Sequence, residues 1–326
     1  MKRRPLLHTL LGATSLAVMA SAAPGAHAAG KTVLTVFAAG TLAVPFREID
    51  RAFEKLHPGV VVQPEFGGSV KMVKKITELH QNGDVYAAAD YSVIPKYLFG
   101  EGGAKRYADW YAGFVSNAIT FVYTDKSKYA REINDRNWYR VLARHGVQIG
   151  RSDPDTDPSG YQTVQMLNLA SRYYKDPKLE EQVLGNAPRS NMRDTETSLI
   201  SALQLGQIDY LAIYRSDALQ HHLKHLKLPA KINLSDPREA AFYKTGVAHM
   251  KNGTLTGKPI VYALTIPDNA EHKDLAAAYA AYVLGPEGRK ILAQHGFGTF
   301  ATPPAVGRDK MPAALQKLVK PWQGEG

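Results

Sequence analysis

Arg151-Ser-Asp-Pro-Asp-Thr-Asp-Pro-Ser-Gly-Tyr-Gln-Thr163 places three carboxylates, two prolines and a glycine between a strand-like run and a helix-like run. The run before it, Val147-Gln-Ile149, is short and β-like, and the apolar residues that follow it recur at helical spacing. The stretch therefore predicts a turn that opens a helix, with Asp157 at the N-cap and Pro158 at the first helical position. An Asp cap followed by Pro is a common helix start, so this stretch alone is also explained without a ligand.

Two strand-turn-helix units precede this turn. Thr32 to Phe37 alternates as a strand, and the turn Ala38-Ala-Gly-Thr41 leads into an amphipathic helix. The pattern repeats with the strand Val60 to Gln63, the turn Phe66-Gly-Gly-Ser69 and a second amphipathic helix, and Asp84 to Asp90 supplies the next strand. Alternation of this kind predicts a parallel sheet whose ligand lies at the carboxyl ends of the strands.

Each of these two turns puts a small hydroxyl residue, Thr41 or Ser69, at a predicted helix N-terminus. There the free backbone N–H groups and the helix dipole favour a negative charge. Gly40 and Gly68 allow a ligand or another backbone to approach closely. Either hydroxyl alone is better explained as an ordinary helix N-cap. Two such turns in succession favour an oxyanion cradle.

The second half of the chain predicts a further α/β unit and a return. Ala118 to Tyr123 reads as a strand that leaves the first unit, and Asp209 to Tyr214 as a later strand. Between them, Glu196 lies at the start of a helix closed by Gly206, where a carboxylate is favourable through the dipole alone. Lys258 to Ile266 predicts a strand that crosses back, before two Ala-rich helices.

Helices that return to the first unit after a second one predict two lobes joined by crossing strands, a clamshell that closes on a small ligand. We expect lobe one to comprise residues 29–118 and 258–326, and lobe two residues 119–257. The 298 residues that follow the leader exceed the usual size of one compact core, which also favours two lobes.

Residues 1–28 are predicted to be a signal peptide. Three basic residues precede an apolar segment from Leu6 to Ala20, and Ala26-His27-Ala28 offers small residues for cleavage after Ala28. The apolar segment is short for a membrane span. We therefore expect a soluble periplasmic protein.

The composition narrows the class of protein. The chain has no cysteine, hence no disulfide framework, no thiolate metal site and no Cys for lipid attachment. Removal of the leader lowers the formal charge from +10 to +7. This modest basic excess suits an anionic ligand, but it lacks the arginine clusters and interleaved aromatic residues of a nucleic-acid groove, so no nucleic acid is expected as a partner.

Other motifs do not support an enzyme. His221 and His225 lie four residues apart on a predicted helix, a spacing that can bind zinc, but no carboxylate shares that turn. Gly253 to Lys258 resembles a phosphate loop, but it has one residue too few between the glycines and Pro259 after the lysine. The chain also has no Gly-x-Ser-x-Gly nucleophile elbow. We expect a protein that is not an enzyme.

A set of motifs in order along the chain resembles the periplasmic receptors of tungstate/molybdate ABC importers, in the branch whose archaeal members bind the oxyanion in six-coordinate form. The resemblance covers nearly the whole chain after the leader. It is carried by Phe37-Ala-Ala-Gly-Thr-Leu42, Gly67-Gly-Ser-Val70, Ala89-Asp-Tyr-Ser-Val-Ile-Pro95, Tyr107-Ala-Asp-Trp-Tyr111, Asp157-Pro-Ser-Gly-Tyr161, Glu196-Thr197, Asp209-Tyr-Leu-Ala-Ile-Tyr214 and Lys258-Pro-Ile-Val-Tyr262.

The resemblance implies an α/β periplasmic-binding-protein fold of type II, with parallel-type sheets joined by crossing hinge strands. It implies that molybdate or tungstate is the ligand, without a separate cofactor, that an ABC permease in the inner membrane is the partner, and that the receptor is a monomer. The implied ligand-binding residues are Gly40, Thr41, Ser69, Asp157, Pro158, Ser159, Glu196 and Tyr214.

Three features depart from the family pattern. Thr41 stands where the family usually has Ser, and Ser159 stands where Cys is frequent, so both positions keep a small donor. The segment between Tyr174 and Arg193 is shorter than in the archaeal relatives.

Asp157 and Glu196 raise an electrostatic question, because a carboxylate about 4 Å from an anionic charge is repelled by roughly 4 kcal/mol at an effective dielectric of 20. Their presence becomes reasonable if both are ligands to the molybdenum or tungsten centre, since hard oxygen donors suit a high-valent metal. Sulfur in sulfate does not accept further oxygens. A phosphate or sulfate receptor, or a secreted metal-dependent hydrolase with a third ligand, remains the alternative. The sequence does not separate molybdate from tungstate.

Overall fold

Residues 31–251 and 253–323 are described by the computed structural model. The predicted signal peptide and its cleavage after Ala28 lie outside these residues. Within the described ranges, no helix combines the length and the apolar character needed to cross a membrane.

The first part of the chain alternates strands and helices as predicted from the repeated strand-turn-helix pattern. Its helices bury the apolar residues that recur at helical spacing, while the opposite face stays in solvent. The elements are β1 (Thr32–Ala39), α1 (Ala43–Leu56), β2 (Val60–Gly67), α2 (Ser69–Thr77), β3 (Val85–Ala88), α3 (Val93–Leu98) and β4 (Tyr111–Ser116).

The middle part forms a second α/β unit around the turn that opens at Arg151. Asp157 is the N-cap of the long helix in this unit and Pro158 its first residue, as the sequence predicts. The elements are β5 (Ile119–Tyr123), α4 (Trp138–Leu142), β6 (Ile149–Ser152), α5 (Pro158–Tyr173), α6 (Leu179–Gly185), β7 (Met192–Arg193), α7 (Ile200–Leu205), β8 (Tyr210–Tyr214), α8 (Arg215–Gln220) and β9 (Lys224–His225).

The predicted histidine helix is wrong. Helix α8 ends at Gln220, His222 has a φ of 51° in the left-handed region, and His225 lies in the short strand β9. A left-handed residue reverses the chain, so the i, i+4 spacing of the imidazoles does not place them on one helix face.

The last part crosses back to the first sheet. The segment that begins at Gly253 and resembles a phosphate loop forms a hairpin strand, β11, which pairs antiparallel with β10. The elements are α9 (Ala240–Tyr243), β10 (Val247–Met250), β11 (Gly253–Thr256), β12 (Val261–Thr265), α10 (Lys273–Leu284), α11 (Pro286–Gln294), β13 (Gly298–Thr299), β14 (Pro304–Val306), α12 (Ala313–Gln316) and β15 (Lys320–Pro321). Short 3-10 helices cover Gly40–Leu42, Glu101–Gly103, Arg189–Asn191, Thr197–Leu199, Pro237–Glu239 and Arg308–Lys310.

Two sheets organise these elements. The first has the order β15-β14-β4-β12-β3-β1-β2, with β13 paired to β4, and the second has the order β7-β6-β8-β5-β9. Strands of the strand-turn-helix units are parallel, as predicted, in β1–β2, β1–β3 and β6–β8. The crossing strands are antiparallel to their neighbours, β12 to β3 and β4, and β5 to β8. Both sheets are therefore mixed, because a strand that arrives from the other lobe enters the sheet from its opposite end.

The distribution of strands between the sheets follows the chain. The first sheet takes its strands from residues 32–116 and 261–321, and the second from residues 119–225. The exact lobe boundaries remain predictions.

Helix α10 returns to pack on α1, where the ring of Tyr279 meets Phe46 and Phe53 edge-on at centroid distances of 6.3 and 5.2 Å. This packing fixes the returning helices on the first sheet.

Candidate functional site

Glu196 joins the two halves of the molecule through its carboxylate. Thr41 Oγ1, from the turn after β1, donates to Glu196 Oε1 at 2.9 Å. Ser159 Oγ, in the first turn of α5, donates to Glu196 Oε2 at 2.8 Å. All three side chains are buried. Glu196 precedes the 3-10 helix Thr197–Leu199, but its side chain does not cap that helix, so its position reflects these hydroxyl contacts rather than capping.

Asp157 serves as a helix cap and lies beside this cluster at the same time. Its Oδ1 accepts the backbone N–H of Ser159 at 2.7 Å, so the ordinary helix-start interpretation is correct. Burial, and then repulsion from the Glu196 carboxylate, raise the pKa of Asp157 well above its usual range. The cap therefore does not exclude a second role, because the same carboxyl group is buried next to Glu196.

Two buried residues of this cluster escaped the sequence analysis. Asp217, in the first turn of α8, has its carboxyl group close to Thr41 and Glu196. Tyr262, on β12, lies close to Asp217 and Thr41, and its hydroxyl accepts a hydrogen bond from Asn117 Nδ2 at 3.2 Å. Asp217 follows the end of a predicted strand by three residues, and Tyr262 lies within the predicted crossing strand. The position of Asp217 just after a predicted strand, and that of Tyr262 in the strand that crosses between the lobes, were the available signals.

Three acidic side chains, Asp157, Glu196 and Asp217, lie together in this cluster. None of the ion pairs found in the described part of the chain involves Asp157, Glu196 or Asp217. Burial raises the pKa of Glu196, and burial followed by repulsion from Glu196 and Asp157 raises the pKa of Asp217 well above its usual range. The hydrolase alternative requires at least three His, Cys, Asp or Glu side chains around a metal ion. No such group is found in residues 31–251 and 253–323.

Thr41 and Ser69 are not helix caps. Neither α1, α2 nor the 3-10 helix Gly40–Leu42 has a side-chain cap, so that interpretation of the two hydroxyls is wrong. Ser69 Oγ instead accepts the backbone N–H of Ala89 at 2.9 Å, which leaves its own hydrogen free to donate.

The remaining predicted site residues lie at the start of α5 and the end of β8. Pro158 is buried at the first position of α5. Tyr214 is fully buried at the end of β8, and its hydroxyl donates to Gln162 Oε1 at 2.7 Å. The centroids of the aromatic rings of Tyr214 and Tyr262 lie 5.6 Å apart. Burial is the main cause that raises the pKa of Tyr214, and the neighbouring groups Tyr262, Asp157 and Glu196 raise it further. The structure thus brings Tyr214 to the same cluster.

Gly40 and Gly68 lie where the two halves of the molecule approach each other closely. A Cβ atom on Gly68 would lie 2.4 Å from the carbonyl oxygen of Thr156 and 2.8 Å from that of Asp194. A Cβ atom on Gly40 would lie 3.3 Å from Thr197 Oγ1. Both turns therefore bring their backbone against the segments that carry Asp157 and Glu196, the close approach that the glycines predict.

A second inter-lobe contact flanks the cluster. Tyr161 Oη, on α5, donates to Asp90 Oδ2 at 2.8 Å, next to β3. Lys258 Nζ pairs with Asp90 Oδ1 at 2.9 Å and lies over the ring of Tyr91. The Lys258 charge and the hydrogen bonds to the carboxylate outweigh burial and hold the pKa of Asp90 below its usual value. Asp90 is thus a fully paired, ionised link between the lobes.

The family model for bacterial extracellular solute-binding proteins matches residues 34–298. This chain belongs to that family. A solute-binding protein of Petrotoga mobilis is 41% identical over 293 residues, which cover 88% of this chain and 90% of the relative. The molybdate/tungstate-binding protein WtpA of Pyrococcus abyssi is 36% identical over 315 residues, 88% of this chain and 90% of that protein. The family is one of receptors that bind solutes.

Solved structures confirm the two-lobed periplasmic-binding-protein fold. The periplasmic molybdate-binding protein of Azotobacter vinelandii superposes with a TM-score of 0.60 at 18% identity, over 81% of this chain and 98% of that one. The sulfate-binding protein SubI of Mycobacterium tuberculosis gives 0.57 at 15% identity, over 83% and 88%. Proteins named for different oxyanions share this fold, so the ligand has to be argued from the site.

Proposed function

We propose that this protein is an extracytoplasmic receptor that captures molybdate or tungstate between its two lobes and delivers it to an ABC importer. The observation that carries the proposal is the buried junction of Asp157, Glu196, Thr41 and Ser159, in which hydroxyl donors from both lobes meet two carboxyl groups. The relationship to proteins named as molybdate/tungstate-binding, at 36% and 35% identity, supports the same ligand.

The chemistry of the junction favours a metal-centred oxyanion. Asp157 and Glu196 supply hard oxygen donors, which suit molybdenum or tungsten in a high oxidation state. Binding of the oxyanion turns the hydroxyl groups of Thr41 and Ser159 from Glu196 to the oxo groups, to which Ser69 also donates. Because both carboxyl groups are buried without a cation, they hold protons more tightly than usual, and a metal that accepts their oxygens displaces those protons. Sulfate offers no such compensation, so the carboxyl groups select against it.

The setting of this activity follows from the same proposal. The receptor acts in the periplasm after removal of the leader, and its partner is the permease of the importer in the inner membrane. It works as a monomer, because one copy of the chain supplies site residues from both lobes.

Titration of the purified, ligand-stripped protein with molybdate, tungstate, sulfate and phosphate tests the ligand class. Isothermal calorimetry should detect sub-micromolar binding of molybdate or tungstate. Tight binding of sulfate or phosphate, with none of molybdate or tungstate, would contradict coordination of a metal by Asp157 and Glu196. The protein would then be a sulfate or phosphate receptor.

Glu196→Gln tests the role of the central carboxylate. The substitution keeps the size of the side chain but replaces an anionic oxygen donor with a neutral one. If Glu196 is a ligand to the metal, tungstate affinity falls roughly tenfold or more, as for other losses at metal sites. If Glu196 only repels the anion, affinity stays equal or rises, so the two interpretations predict opposite signs.

Glu180→Gln is the matched control, because Glu180 bonds to Asn168 and to no residue of the junction. The control removes the same charge from the middle part of the chain and should leave affinity unchanged. Asp157→Asn complements the pair, since Asn also caps helices well and the start of α5 should survive.

A further inference from the structure

Asp217 has a buried oxygen for which the fold provides no partner. Its side chain is 1% exposed, and among the described residues Oδ2 has no hydrogen-bond partner. Unpaired buried polar atoms are rare in native proteins, and each calls for an explanation such as a ligand. The carboxyl group lies close to Glu196 and Asp157, and α8 follows directly on Tyr214, whose hydroxyl bonds to Gln162 of α5, so the unpaired oxygen lies beside the proposed ligands.

The position of Asp217 is held firmly. It lies in the first turn of α8, directly after Ser216, whose Oγ accepts a hydrogen bond from Asn117 Nδ2 at 2.8 Å. Asn117 also bonds to Tyr262 on the crossing strand β12. The backbone that carries Asp217 is thus tied to the segment where the chain passes from one sheet to the other, and the side chain is buried there.

We propose that Asp217 is a further ligand-binding residue of this receptor, which contacts the bound oxyanion through its unpartnered Oδ2. The inference rests on the proposed function and adds a third carboxyl group to the two that the sequence identifies. Asp217 differs from Asp157 and Glu196 in its role, because it makes a hydrogen bond to an oxo group instead of coordinating the metal.

The hydrogen-bonding role follows from the inventory of donors and acceptors. A carboxylate oxygen and an oxo oxygen are both acceptors, so a contact between them requires a proton. The proton comes from the carboxyl group or from a hydroxo group of the bound oxyanion, and in either case Oδ2 gains the partner that the fold does not provide. A buried carboxylic acid that donates to an anionic oxygen is an established arrangement in other binding sites. Asp217 therefore lowers the repulsion in the site while it orients the ligand.

Two substitutions that preserve shape test this contact at a single pH. Asp217→Asn replaces the acid with an amide whose Nδ2 donates permanently, and Asp217→Leu keeps the branched shape but removes both polar atoms. Tungstate and molybdate affinities are measured by calorimetry, with circular dichroism and thermal unfolding to check the fold. We expect Asp217→Leu to weaken binding roughly tenfold or more, and Asp217→Asn to bind nearly as well as the unmutated protein.

Two outcomes would overturn the proposal. Equal or tighter binding by Asp217→Leu would show that the carboxyl group only repels the anion. Binding by Asp217→Asn as weak as by Asp217→Leu would show an ionised ligand and no hydrogen-bond donor. If Asp217→Leu does not fold, Asp217→Ala makes the same comparison with less bulk.

Asp209→Asn is the matched control for the removal of a charge. Asp209 lies directly before the start of β8 and accepts hydrogen bonds from the backbone N–H groups of Lys128 and Gln148. The oxyanion affinity of Asp209→Asn should equal that of the unmutated protein. A failure of the proposed function is recognised separately, because the unmutated protein would then bind neither molybdate nor tungstate, and the role of Asp217 would fall with it.

Discussion

Gly68→Ala adds one methyl group where the two lobes meet. The backbone of Gly68 has φ −57° and ψ 132°, a conformation open to alanine, so the substitution does not strain lobe one by itself. The new Cβ would lie 2.4 Å from the carbonyl oxygen of Thr156 and 2.8 Å from that of Asp194. Both atoms belong to the backbone of the opposite lobe and have no rotamer with which to move aside. The substitution therefore penalises only the arrangement in which the lobes are closed.

The size of the penalty follows from the overlap. A distance of 2.4 Å is about 1 Å shorter than ordinary van der Waals contact. Extra methyl groups in closely packed regions cost about 1–3 kcal/mol. If the ligand-bound receptor has this closed arrangement, the whole cost appears in the binding free energy, because the open form is unaffected. Tungstate or molybdate affinity should fall by about 5- to 150-fold.

Calorimetry measures the loss of affinity, and small-angle scattering measures closure. In the unmutated protein the radius of gyration should decrease when the oxyanion is added, and in Gly68→Ala the decrease should be smaller at saturation. Gly67→Ala is the matched control. The three atoms nearest to its Cβ all belong to the side chain of Met72 in the same lobe, and the shortest distance, 2.7 Å, is to the flexible end Cε, so binding and closure should be retained.

The reasoning would be refuted if Gly68→Ala, with an unchanged circular dichroism spectrum, bound the oxyanion as tightly as the unmutated protein. The lobes of the ligand-bound receptor would then not bring Gly68 against Thr156, and the hinge argument would fail even if the ligand assignment stood.

Three further predictions follow from other contacts. Tyr161→Phe removes the inter-lobe hydrogen bond to Asp90 and should weaken oxyanion binding by about 2- to 10-fold in calorimetry, whereas unchanged affinity would mean that this bond forms equally in the open receptor. Asp50→Asn should raise the free energy of unfolding by about 3 kcal/mol at pH 7 and by little near pH 4. Burial raises the pKa of Asp50 to about 6, so the folded protein is destabilised by the Asp50 charge as the pH rises from the ordinary Asp pKa through that value. Urea unfolding at both pH values checks this, and an equal gain at pH 4 and 7 would contradict it. X-ray absorption of the tungstate-loaded protein should count about six oxygens around the metal, and four would refute coordination by Asp157 and Glu196.

Local chemistry made much of the fold predictable. The start of α5 and the strand-turn-helix units of the first sheet follow from caps, prolines, glycines and apolar spacing, which act over a few residues. The histidine segment shows the limit of such signals, since the helical spacing after Asp217 continues past Gln220 while the backbone at His222 turns left-handed. The antiparallel crossing strands were also not predicted, because strand direction depends on which lobe the chain comes from.

The site was predictable only in part, because local sequence signals do not show which distant residues come together. The sequence by itself determined that Asp157 caps a helix, that glycine turns follow β1 and β2, and that Glu196 begins a helical segment, because each statement depends on neighbouring residues. Only the tertiary structure decided that Thr41 bonds to Glu196, 155 residues away, and that Asp217 and Tyr262 join the same junction. Contacts of that separation depend on how the ends of two sheets face each other across a hinge, and the spacing of residues along the chain carries no record of that geometry.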